Sequence, residues 1–229
     1  MNVIFEDNHI LIVVKPVGIP VQADKSGEAD FLTQIKEYRK VHENKPGNVY
    51  VGMVHRLDRM VGGLMVFAKT SKAASRLSEQ IRSQTLTKTY LAIVHGQGLP
   101  GGALEDWLLK NEYSNTTTVV PSHTPGAKRS LLEYRVLEER DSLSLLLIHL
   151  ITGRAHQIRV QFSSRSWPLV GDHKYGTSDS VQTSPALWSH SLILEHPTSK
   201  EKLSFFAPQP EGVHWRKFRI IKEKLKLSF

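Results

Sequence analysis

One aspartate, Asp58, stands between two arginines in the run Val54 to Lys69, VHRLDRMVGGLMVFAK. Arg56 precedes it by two residues, Arg59 follows directly, and Gly62-Gly63 lies just beyond. A loop aspartate is commonly a turn former or a helix cap. Flanking guanidiniums, however, would hold its carboxylate ionised and could grip phosphates, and paired glycines let backbone or ligand approach closely. Two further segments carry reactive side chains. KTYLAIVHG, Lys88 to Gly96, places Tyr90 near the start of a strand, where a ring packs across to a neighbouring strand. ITGRAHQIRVQFSSRSWPLVGDHKYG, Ile151 to Gly176, gathers Arg154, His156, Gln157, Arg159 and Arg165, with Lys174 close behind. Either histidine-ligated zinc or an arginine-rich RNA surface could use such a cluster. The histidines lack H-E-x-x-H spacing and no carboxylate follows closely, which argues against the metal. GDHKYG matches neither a phosphate-cradling P-loop nor a dinucleotide fingerprint.

Composition narrows the choice. The chain has 229 residues, 30 Lys+Arg against 22 Asp+Glu for a formal charge of +8, and no cysteine. The missing cysteines exclude disulfide scaffolds, thiolate zinc sites and cysteine nucleophiles. With 40% hydrophobic and 23% charged residues a packed core is expected and global disorder is not. The basic balance favours a polyanionic partner, nucleic acid before an acidic membrane surface. Glu6 and Asp7 stand where a secretory signal would carry Lys or Arg. The longest apolar run, Leu143 to Ile151, is interrupted by Ser144 and His149, whereas a membrane span needs ~20 residues. A cytoplasmic protein without membrane association is expected.

The elements that must hold these residues follow from pattern. Val3–Phe5 and Ile10–Val14 flank the turn-forming EDNH and read as a hairpin. KPVGIPV then imposes a shaped loop. Asp30 caps a helix with Phe31, Leu32, Ile35 and Tyr38 at helical spacing. Leu64–Lys69 reads as a strand, and Thr70 or Ser71 starts a helix facing inward through Ala74, Leu77 and Ile81. Thr87–Val94 is a further strand. Residues 96–128, rich in Gly, Pro, Ser and Thr, read as a loop-rich excursion within one domain spanning 1–229. Leu131–Leu137 and Ser142–Leu150 flank EERD as a second hairpin, and His156–Ser163 reads as a short helix. The terminal WRKFRIIKEKLK resembles a basic amphipathic helix with Phe218, Ile221 and Leu225 on one side. Strands and helices mix without βαβ alternation, so the expected class is α+β with a mixed, mostly antiparallel central sheet flanked by helices and loops.

Taken in order, HRLD with its glycine pair and AK, KTYLA, TGRAHQIRVQF and P-L-V-GD-x-x-YG resemble the RluA family of pseudouridine synthases. EDNHILIVVKPVGIPV with its KPxG, and the late HPTSKEKLSFFAPQP, fit the same pattern, so the resemblance runs from about Val3 to Pro210. Two departures stand out. Val61-Gly62 replaces the Thr-Ser or Thr-Thr common before the motif glycine, and the chain starts at the catalytic domain without the S4-type domain many members carry. The resemblance implies isomerisation of a uridine in ribosomal or transfer RNA to pseudouridine, with no cofactor and no metal. It assigns Asp58 as the catalytic carboxylate, Arg159 as its cationic partner and Tyr90 as the ring against uracil. Arg56 would fill the space of a flipped base, and His55, Arg154, His156, Gln157, Arg165 and Lys174 would meet RNA. A monomer is expected. A catalytically idle RNA-binding module on the same scaffold is the competing class.

Overall fold

In the computed structural model residues 1–23, 27–176 and 184–218 are described. They divide into two compact units, one of Met1–Thr87 with Ser189–Pro208, the other of Lys88–Trp188 with the residues from Gln209 on. The architecture is α+β. Among the described residues no helix is long and apolar enough to cross a membrane.

The first unit opens with the expected hairpin, β1 (Asn2–Glu6) and β2 (Ile10–Lys15), whose turn is held by Asp7 Oδ1 accepting from the amides of His9 and Ile10. β3 (Gly52–Met53) and β4 (Gly62–Ala68) follow. The chain returns through β10 (Leu187–Glu195) and β11 (Lys202–Phe206), giving the order β1-β2-β4-β10 with β3 beside β4 and β11 beside β10. The pairs β1–β2, β2–β4, β3–β4 and β10–β11 are antiparallel. Every residue of β2 and β4 is buried, which explains their unbroken ILIVV and LMVFA runs. α1 (Phe31–His42) begins where Asp30 accepts from the Thr33 amide at 3.0 Å, and Phe31 meets Phe67 of β4 edge-on. α2 (Ser71–Arg82) is capped by Thr70. Its buried face is Ala73, Leu77 and Gln80, one position away from the face expected through Ala74 and Ile81. The shift comes from Gln80, a polar residue drawn inside because its amide bonds both backbone groups of Glu195.

β10 also encloses His190, which is 6% exposed, lies 5.9 Å from the Phe206 ring, and among the described residues has no hydrogen-bond partner on either ring nitrogen. Burial alone pushes its pKa down to about 4. A depressed histidine is neutral in the folded chain but takes a proton in the unfolded one below ~6.5. Stability is therefore expected to fall as pH drops from ~6.5 towards 4, by up to about 3 kcal/mol. Urea unfolding at pH 7, 5.5 and 4 measures it, and His190→Leu should flatten the profile. An equally steep profile in the variant would refute the assignment.

The second unit is an antiparallel sheet in the order β5-β9-β8-β6-β7. Its strands are β5 (Thr87–His95), β6 (Gly102–Asn111), β7 (Thr116–Val120), β8 (Lys128–Arg140) and β9 (Leu143–Leu150). The loop-rich expectation for 96–128 is thus corrected: β6 and β7 form a hairpin inside it. The β8–β9 turn falls at Asp141-Ser142, both with positive φ, in the manner of a tight hairpin. α3 (Gln157–Ser163) is the expected short helix. Leu91, Ile93, Leu145, Leu147, Val170 and Trp215 share one apolar core. Of the basic C-terminal helix only α4 (Val213–Arg216) and the following Lys217-Phe218 are described; Ile221 and Leu225 lie outside the described residues.

Candidate active site

Asp58 sits in the turn that leads into β4, and strand register determines what surrounds it. β2 pairs with β4 so that Lys15 lies opposite Gly63, bringing the loop after β2 beside the loop before β4. Lys15 is fully buried, and its Nζ donates to the carbonyls of Pro16 and Ile19 at 2.7 Å and of Arg59 at 3.1 Å. Arg59 completes the strap. Its Nε donates to Gly18 O at 3.0 Å, its own carbonyl accepts from the Gly18 amide at 2.9 Å, and Nη2 pairs with Glu28 at 2.5 Å. The Val61 amide donates to Asp58 O and closes the turn. Within it Leu57 is buried, Asp58 half-buried and Arg56 exposed. This loop can hold a carboxylate still while keeping it within reach of solvent.

Asp58 has a buried cation for a neighbour. Burial pushes Lys15 down to about 8, the negative charge of Asp58 pulls it back up, and the Arg59 cation lowers it again. Lys15 therefore remains mostly charged at neutral pH, an internal cation that Asp58 feels. It was absent from the sequence-derived set, because a lysine ending an apolar strand reads as a surface residue. Its signal was the sequence ILIVVKP, where a buried run continues into a proline-shaped loop. Gly63 is a steric requirement: its φ is +112° and a Cβ would lie 2.2 Å from Ser189 O. His55 faces the fold, its Nε2 accepting from the Val66 amide at 3.1 Å, so this nitrogen orients the loop.

In the second unit Tyr90 is 5% exposed on β5, opposite Ile148 of β9. Arg159 of α3 is buried and forms a bidentate pair with the fully buried Asp172, Nε to Oδ2 and Nη2 to Oδ1, both at 2.7 Å. Asp172 Oδ1 also accepts from the amides of Lys174 and Tyr175, so the GDHKYG turn is wound around the carboxylate that aims Arg159. The Arg159 guanidinium stands 5.0 Å from the centre of the Tyr175 ring. Tyr175 Oη accepts from the Thr117 amide at 2.8 Å and lies 2.6 Å from His156 Nδ1. Asp172 and Tyr175 were not among the expected site residues; their GD-x-x-YG spacing was the available signal.

Other expected RNA contacts are drawn inward. Gln157 is 3% exposed: its Oε1 accepts from Thr152 Oγ1 and the Arg154 amide, and its Nε2 donates to Leu131 O and Gln161. Its amide is thus occupied inside the fold, where it shapes the loop before α3. Arg165 holds Asp106 of β6 through Nη1 at 2.9 Å and Nη2 at 3.1 Å. Arg154 is exposed, with Nε on Arg129 O, and Lys174 Nζ donates to Asn115 O. A recess of about 320 Å³ opens beside the β6–β7 hairpin, lined by Lys110, Thr117, Lys128, Gly153 and Arg154 among others. Among the described residues no three His, Asp or Glu side chains are grouped to hold a metal ion.

The chain is similar to several known proteins. The sequence pattern of the family described as RNA pseudouridylate synthase matches residues 9–164. The chain is 32% identical over 213 residues to an uncharacterized RNA pseudouridine synthase of Bacillus subtilis (strain 168), YhcT, covering 92% of this chain and 69% of that protein. It is also 32% identical over 230 residues to ribosomal large subunit pseudouridine synthase D of Pseudomonas aeruginosa, covering 94% of this chain and 70% of that one. The fold is similar to human RNA pseudouridylate synthase domain containing 4, with a TM-score of 0.76 at 22% identity over 91% of this chain and 88% of the other.

Proposed function

Because the chain belongs to the RNA pseudouridylate synthase family, we propose that it isomerises a particular uridine of ribosomal RNA, with Asp58 as the reacting carboxylate. The observation that carries the role of Asp58 is its placement in a loop strapped from two sides by Lys15 and Arg59, half-exposed and beside a buried cation. Ribosomal RNA is favoured because the relative from Pseudomonas aeruginosa, matched over nearly the whole chain, is named for the large ribosomal subunit.

The reaction breaks the N1–C1′ bond, turns the uracil while it is held, and joins C5 to C1′. The C5 proton is lost, N1 regains a proton, and nothing is oxidised. The target atoms are inaccessible in a stacked helix, so the uridine must leave the stack at a cost of a few kcal/mol. Arg56, the exposed member of the loop, fills the vacated place. Asp58 attacks, or stabilises positive charge at C1′, only as the anion. Arg159, whose charge cannot be titrated away and whose orientation Asp172 holds, contributes a permanent positive charge. Tyr90 presents its ring to the uracil and its hydroxyl to the C5 proton. His55, His156, Arg154, Arg165 and Lys174 contribute to the RNA-facing surface, and the protein acts as a cytoplasmic monomer without added cofactor.

Tyr90→Phe separates the two uses of that residue. The variant should bind RNA as the parent does and lose about 10²-fold in single-turnover rate, a typical share for a positioned acid–base group. A large loss of affinity in a folded variant would contradict the stacking role. The reaction as a whole is tested by incubating unmodified total RNA with purified protein and mapping new pseudouridines. A new site in ribosomal RNA is expected. A site in transfer RNA alone would move the substrate, and none in any RNA would favour the idle binding module.

A further inference from the structure

Lys88 is a buried cation in the second unit that none of the roles above uses. Its side chain belongs to a residue only 7% exposed, and among the described residues it has no hydrogen-bond or ion-pair partner. No carboxylate acts on it either, since burial is the only influence on its pKa, which it lowers. A lysine kept for packing normally carries its head out to water along an apolar stem. An ammonium on a residue so largely buried, with no carboxylate beside it, lacks a counter-ion from the fold.

Its position indicates where that counter-ion comes from. Lys88 lies on β5 two residues before Tyr90, so their side chains share a face of the strand. Gly153 stands next to it: a Cβ added there would lie 3.6 Å from Lys88 Nζ, so the ammonium meets the loop at a residue without a side chain. Gly153 and Arg154 also form an edge of the 320 Å³ recess, whose other charged residues are Lys128 and the ion pair of Lys110 with Glu112. A largely buried ammonium close to a recess whose cations outnumber its one carboxylate suits a ligand with a full negative charge more than a carbonyl oxygen.

We propose that Lys88, beneath the Gly153–Arg154 loop, is a binding site for a phosphodiester of the RNA substrate. This rests on the assignment of the chain as an RNA isomerase and adds to it a specific phosphate contact near the tyrosine that faces the base. Lys88→Met keeps length and apolar packing while removing the charge. Made in the full chain and tested on the ribosomal RNA substrate, it should melt at the parental temperature or above it. Its kcat/KM should fall at least tenfold, and the slope of log affinity against log salt should decrease by about 0.7–0.9, the loss of one phosphate contact. Gly153→Val, which fills the space over the ammonium and leaves the charge in place, should weaken RNA binding in the same way.

Parental kinetics and salt slope in Lys88→Met would overturn the proposal. So would a lowered melting temperature with a parental slope, which marks a structural lysine, or lowered turnover with a parental slope, which marks contact with an uncharged group such as a uracil carbonyl. The two readings also fail separately. If the parent isomerises no uridine yet Lys88→Met lowers RNA affinity and slope, the isomerase reading falls and the phosphate site stands. If the parent isomerises and Lys88→Met matches it throughout, the phosphate site alone falls.

Discussion

Asp58→Asn is expected to abolish isomerisation and to leave RNA binding at the parental level or above it. The change is nearly isosteric, and the strap around Asp58 runs through backbone carbonyls and through Lys15 and Arg59, which the substitution leaves in place. Folding should therefore survive. A neutral amide is a very weak nucleophile and offers little to a positive centre at C1′. Losing the carboxylate also removes a charge that repels phosphates, while the exposed Arg56 and Arg154 remain to attract them. Single-turnover isomerisation and equilibrium RNA binding, measured on the same preparation at two salt concentrations, read both halves. Near-parental turnover in the variant would exclude Asp58 as the reacting group, and lost binding in a folded variant would contradict the electrostatic argument.

The second large effect is expected at Asp172. Its side chain is completely enclosed and that of Arg159 is 8% exposed, so Asp172→Leu takes the carboxylate away from a buried guanidinium. Breaking such a pair from one side is expected to reduce stability by about 3–5 kcal/mol. The loss is compounded because Asp172 also accepts from the amides of Lys174 and Tyr175. Turnover should fall as well, since Arg159 loses the group that aims it. The double variant Arg159→Met with Asp172→Leu should recover much of the stability, as apolar replacement of a buried pair often does, and none of the activity. Denaturant unfolding of the parent, single and double variants tests this. A loss below about 1 kcal/mol in the single variant would mean the pair does not hold the second unit together.

Elements whose signals are local were legible in the sequence. Asp30 and Thr70 cap the two long helices as their positions suggested, and both expected hairpins form with EDNH and the end of EERD at their turns. The β6–β7 hairpin was obscured by flanks rich in glycine and proline. Its outer strand reads TTTVV, whose threonines suit a loop as well as a half-exposed strand. Partnerships across long sequence separations were the hardest to read. Lys15 reaches the Asp58 turn only because β2 pairs with β4 in one register, and Gln80 is buried only because Glu195 meets it. Arg159 was visible as a charged residue in a motif, but its bond to Asp172, 13 residues on, depends on a turn that no periodicity announces. Gln157 and Arg165 have the composition of an RNA surface, and their hydrogen bonds into the fold became visible only with the backbone in place.

The central claim is that this chain exchanges the C5 proton of a uridine for a bond to C1′ through Asp58. The most direct measurement is release of tritium from ribosomal RNA carrying uridine labelled at C5, under single turnover, with the parent and Asp58→Asn side by side. The account predicts a stoichiometric burst of tritium into water from the parent and none from the variant. Tritium released equally by both, or by neither while the parent binds the RNA tightly, would contradict it.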